Sequence, residues 1–111
     1  MIGGIDMTGL GKWICSVNTI FFSGDVKFEI FDNDGEYGFR IEIPDIKAPE
    51  IIVKDVEEDD DTITVTAETS LLPDKDVVLF LDFDEDDDTC EGYVKVPMVG
   101  KIRLRNGKKI S

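Results

Sequence analysis

Hydrophobic and polar positions alternate along this chain, and turn residues interrupt the alternation at regular intervals. From Gly11 onward about eight short segments follow one another, each closed by a turn signal. The first runs from Lys12 to Phe22, with Trp13, Cys15 and Val17 on one face. The second, Val26 to Phe31, sets Val26, Phe28 and Ile30 against Lys27 and Glu29. The third, Tyr37 to Ile43, sets Tyr37, Phe39, Ile41 and Ile43 against Gly38, Arg40 and Glu42. Between these two, Asp32-Asn33-Asp34-Gly35 predicts a hairpin, because Asn, Asp and Gly tolerate positive φ. Pro44 to Pro49 is a loop, since proline donates no ladder hydrogen bond. Segments four (Ile51 to Val56) and five (Thr62 to Thr69) flank the acidic run Glu57–Asp61. Segment six, Val77 to Phe83, is apolar on both faces, so its outer side needs a cover from the N-terminal residues or from a partner. Segment seven, Cys90 to Val96, contains Gly92, which permits a bend. Segment eight, Lys101 to Arg105, is closed by Asn106-Gly107.

A period of two is that of a strand with one buried face. No window of useful length carries the helical period. The pattern therefore predicts an all-β fold, a small antiparallel up-and-down β-barrel of about eight strands. The barrel spans residues 11–111 as one domain, after a loose Gly-rich lead-in over residues 1–10. A chain of 111 residues is long enough to bury a real core.

Twenty-five acidic residues against 12 basic ones give −13. That field disfavours nucleic acid and anionic membranes as partners. No stretch approaches the ~20 apolar residues of a membrane helix, and the N-terminus lacks the basic start of a signal peptide, so the expectation is a cytoplasmic protein. The acids concentrate in Glu57–Asp61 and Asp84–Asp88, while Lys101, Arg103, Arg105, Lys108 and Lys109 gather at the other end of the sequence. The acidity serves solubility or offers a docking surface to a basic protein partner; the basic end has the acidic loops of its own barrel as candidate partners.

The inventory of reactive groups is thin. There is no histidine, which removes the commonest general base and metal ligand together. Cys15 and Cys90 fall inside alternating segments one and seven, which are not neighbours in a meander, and read as buried, reduced thiols. Asp82 and Asp84 run straight into a solvated acidic turn, an open setting unsuited to acid–base catalysis. Asp82-Phe83-Asp84-Glu85-Asp86 begins like a calcium loop, but Asp87 stands where such a loop needs glycine and Tyr93 where it needs glutamate. The expectation is a non-enzyme with no catalytic residue, no metal and no cofactor.

Trp13, Phe28, Tyr37 and Phe39 share faces with aliphatic residues, as core or as the lining of a ligand cavity. Gly11-Lys12-Trp13 at the mouth of the first strand resembles the Gly-X-Trp signature of the calycin superfamily, which comprises lipocalins, fatty-acid-binding proteins and avidins. The resemblance implies a barrel whose tryptophan closes one end, with Arg103 or Arg105 packed across the indole. The short Thr19–Asp25 connection leaves no room for a helical lid, so the match is to a short lipocalin-like variant. It further implies a pocket for a small apolar ligand, lined by Trp13, Phe28, Tyr37, Phe39, Phe83 and Tyr93. The alternative is a filled barrel acting as an acidic protein-interaction or inhibitor module.

Overall fold

The computed structural model describes residues 9–19, 23–43, 50–70 and 72–111. Most of the expected lead-in, the end of the first segment at Ile20–Phe22 and the Pro44–Pro49 loop lie outside the described residues. Eight strands follow in order: β1 (Gly11–Asn18), β2 (Ser23–Asn33), β3 (Glu36–Glu42), β4 (Ile51–Asp59), β5 (Thr62–Thr69), β6 (Leu72–Asp84), β7 (Thr89–Val96) and β8 (Gly100–Lys109). All ladders are antiparallel, and the order across the sheet is β3-β2-β1-β8-β7-β6-β5-β4. This is an eight-stranded up-and-down barrel, nearly closed. β3 and β4, although consecutive, come within 8 Å Cα-to-Cα without forming a ladder. Among the described residues there is no helix.

The turns form for local reasons. Asn33 pairs with Glu36 across Asp34 and Gly35, both at positive φ, as a two-residue hairpin with right-handed strand twist requires. The carboxylate of Asp32 accepts the Gly35 N–H at 2.7 Å. Asp60 takes positive φ between β4 and β5, where Thr62 Oγ1 donates to the Asp59 carbonyl. In the β6–β7 turn, Asp84 accepts from the N–H groups of Asp86 and Asp87, and Asp88 is at positive φ.

Alternation then places the core. Trp13, Cys15 and Val17, Val26 and Ile30, Ile63, Val65 and Ala67, Leu81 and Phe83 all point inward and are buried. Of the register shifts among the described strands, two bear on the site. Lys54 is an extra residue in β4, so Val53 and Val56 both face inward. The other corrects the sequence reading. Asn106-Gly107 does not end the last strand but forms a bulge within it, with Asn106 at positive φ. Beyond it β8 runs on to Lys109 and pairs with β1. Gly107 is needed there because a Cβ would lie 2.4 Å from Cys90 Sγ and 2.5 Å from its carbonyl oxygen.

At one end the barrel has a floor. The Trp13 indole lies 4.9 Å, centroid to centroid, from Phe83 and stacks at 6.4 Å on Phe28. Its Nε1 donates to the Gly9 carbonyl at 2.8 Å. Gly9, at positive φ, sits against the Phe83 ring, where any side chain would collide. Part of the expected lead-in is thus tied to the floor.

Gly92 meets the main chain of β6 closely, and an added Cβ would stand 1.9 Å from the Phe80 carbonyl oxygen. Gly92→Ala should force the two strands apart and cost about 1–3 kcal/mol. A lowered urea midpoint checks this; an unchanged midpoint would refute the close approach.

Candidate functional site

All eight strands contribute to one interior chamber. It measures about 130 Å³ and includes Cys15, Phe28, Phe39, Ile51, Val65 and Leu79 in its wall. Its wall is almost wholly apolar, and Ala67 leaves room that a larger side chain would fill. Leu79, Val77 and Val94 in that wall are only half-buried, so the chamber is open away from the Trp13 floor. Arg40 belongs to the outward row of the edge strand β3 and borders the chamber, while its guanidinium reaches the other way, to Glu29 and the Phe31 ring on β2.

The six expected lining residues separate into three groups. Phe28 and Phe39 line the chamber. Trp13 and Phe83 are consumed in the floor, and Tyr37 is buried beside Phe39 with ring centroids 6.2 Å apart. Tyr93 is a correction. Cys90, Gly92 and Val94 take the inward positions of β7, so Tyr93 faces out. There its ring stacks on Phe80 at 5.2 Å, and Lys101 Nζ sits 4.5 Å from the ring centroid. This contact covers Phe80, one of the outward apolar residues of Val77–Phe83, from the neighbouring strand. The aliphatic wall residues Ile51, Val65, Leu79 and Val94 were missed as a lining, although their inward parity was the available signal.

The arginine cap on the indole is also corrected. Arg103 and Arg105 flank inward Leu104, both are exposed, and Arg105 pairs with outward Ser16. The ladder partner of Trp13 on β8 is Lys109, and the rings around the indole belong to Phe28 and Phe83. The bulge at Asn106 explains the outcome: it keeps both Arg105 and Asn106 outside and gives the inward place to Gly107. Nor does the basic end pair with the acidic turns. Among the described residues the ion pairs are Arg40–Glu29 at 3.0 Å and Lys54 with Glu68 and Asp76 at 3.4 and 3.0 Å.

The connections β2–β3, β4–β5 and β6–β7 fall at the floor end, so the acidic turns gather around the outside of the floor. An open groove there of about 910 Å³ is bordered by Asp61, Asp82, Asp84 and Glu91. These carboxylates are exposed, and among the described residues no three acidic or thiol side chains converge as metal ligands would. The interior chamber is the better candidate, since apolar enclosure is what binding a neutral ligand requires.

Cys15 and Cys90 are free and buried. Desolvation pushes the Cys15 thiol up to about 11, with a lesser push from Asp25. Desolvation likewise pushes Cys90 up to about 12, helped by Cys15 and Glu91. Both are neutral hydrophobes, poor nucleophiles at ordinary pH. The chain matches no protein-family model, no curated protein and no solved structure.

The thiols give a pH prediction. Each holds its proton more tightly when folded than the ordinary value of 9.0 would allow, so the unfolded chain ionises first. Their contribution is intact below pH 9.0 and is lost as pH rises through about 11 to 12. Urea unfolding from about pH 8 to about pH 11 should show falling stability, with a shallower fall in Cys15→Ala/Cys90→Ala. Equal slopes for the two proteins would contradict the burial of the thiolates' conjugate acids.

Proposed function

We propose that this protein is a short calycin-like barrel that binds a small apolar molecule without transforming it. The observation that carries the reading is the apolar interior chamber walled by all eight strands. At about 130 Å³ it is smaller than the roughly 300–1,000 Å³ of pockets for drug-sized ligands. It is close to the roughly 150 Å³ of an apolar cavity that takes benzene. The ligand class is therefore a single-ring or short-chain hydrocarbon group, held by burial and shape. The up-and-down topology and a buried tryptophan on the first strand support the calycin reading. A chain without histidine, in which no described carboxylate is buried, supports a non-enzymatic role. Two thiols on strands separated by β8, both unpaired, suit a reducing, cytoplasmic compartment.

Titration with benzene or indole, followed by methyl NMR, tests the reading. The methyl groups of Ile41, Ile51, Leu79 and Val94 should shift, and the melting temperature should rise with ligand concentration. Ala67→Leu, which fills the chamber, should abolish both effects while keeping the β-sheet circular dichroism. Absence of any response in the unsubstituted protein would overturn the proposal.

A further inference from the structure

The sheet is interrupted at one place among the described residues, the seam between β3 and β4. Each of these strands has one neighbour, so each presents a row of backbone N–H and C=O groups without a ladder partner. Burial marks the same seam row by row. Val53 and Val56 on β4 are half-buried, whereas their partners Ala67 and Val65 on β5 are buried. On the other side Phe39 is half-buried and its partner Ile30 is buried. Apolar side chains of both edges are thus partly exposed, and residues of both edges, Phe39 and Ile41 on β3 and Ile51 on β4, border the chamber.

The rims of the seam are acidic. β3 carries Glu36 and Glu42, and β4 carries Asp55, Glu57, Glu58 and Asp59, all exposed. The two cations on these strands are already engaged. Arg40 is paired with Glu29 and lies 4.3 Å over the Phe31 ring. Lys54 bonds Asp76 and Glu68, which hold its pKa above the ordinary value. A second copy of β4 would meet these carboxylates with its own, on a molecule of charge −13. Charge therefore excludes self-pairing and selects a cation-bearing strand.

We propose that the β3–β4 seam is a strand-addition site for an extended segment of a partner protein, about five to seven residues long, alternating apolar and basic side chains. Its backbone ladders onto β4. Its apolar residues turn toward the half-buried row and the chamber, and its Lys or Arg residues lie among Asp55, Glu57 and Asp59. A strand bonded on both sides needs a gap of about 9.6 Å, twice the spacing of a bonded pair. β3 and β4 already come within 8 Å of each other, so occupancy pushes the two edges apart. The proposal goes beyond small-molecule binding and does not depend on it.

The probe is an acetylated, amidated heptapeptide of alternating Lys and Val; the control has the same composition with its lysines and valines in separate blocks. Amide hydrogen exchange and NMR shifts are read on the full chain. The alternating peptide should slow exchange along β4 and β3 and bind at least about tenfold more tightly than the block control. Asp55→Lys/Glu57→Lys should weaken it about tenfold and leave the melting temperature within a few degrees. Equal binding by the block peptide would reduce the effect to charge alone and overturn the proposal. So would protection centred on β7 and β8. Slow exchange of the β4 edge in the free protein would also overturn it, because the edge would already be covered by the chain itself or by a second copy. Benzene binding is read separately at the chamber methyl groups, so failure of either reading is distinguishable from failure of the other.

Discussion

The architecture depends on the ladder between β1 and β8. It joins the two sequence ends of the barrel, through Trp13 opposite Lys109 and Ser16 opposite Arg105, and the Ile110 N–H donates to the Lys12 carbonyl at 2.8 Å. Without it, a three-stranded sheet and a five-stranded sheet would each expose an edge and one apolar face. With it, eight strands enclose one core. The break in the cylinder then falls between consecutive strands β3 and β4 instead of between the termini. These contacts separate widely in sequence, so their closure entropy must be offset by the burial they complete.

The same ladder makes the floor and thereby places the chamber. Trp13 is held where β1 meets β8, and Phe83, Phe28 and Gly9 fill the space around its ring. This fills the end of the barrel near the acidic turns with aromatic carbon. The remaining interior is walled by smaller residues such as Val65, Ala67 and Val77, and the unfilled volume collects there. A large aromatic residue is thus a plug at one end, and the chamber lies beyond it, where small residues such as Ala67 share the wall with Phe28 and Phe39. The indole needs no guanidinium, because it is already buried among Phe28, Phe83 and Gly9.

Much of the fold was legible in the chain because the governing signals were local. Alternation and the Asp-Asn-Asp-Gly turn placed the second and third strands directly. The site was less legible because bulges are silent in a two-residue period. Asn106-Gly107 has the chemistry of a turn, and only its pairing with Cys90 and β1 reveals a kink within a strand. That kink decides where Arg105 points. Tyr93 was misplaced for a related reason: Gly92 occupies an inward position with no side chain to announce it, so the next residue looked like the core. Unfilled volume is set by side chains from eight strands at once, and no local window contains it.

The acidity has a partly conformational origin, which bears on where a partner should be sought. Asp34, Asp60, Asp74 and Asp88 all adopt positive φ, a conformation that Asp tolerates better than most side chains. Asp32 and Asp84 accept backbone N–H groups in turns. These acids are accounted for by the backbone they make possible, and no partner is needed to explain them. The carboxylates of β4 are different. Asp55, Glu57 and Glu58 sit within a strand, where acidic residues have poor intrinsic preference, and they crowd one edge. Charge on an open edge guards against pairing with like strands while leaving the backbone groups available. On the proposed strand-addition reading, an edge so guarded discriminates by sign, repelling its own copy and favouring a strand of opposite charge.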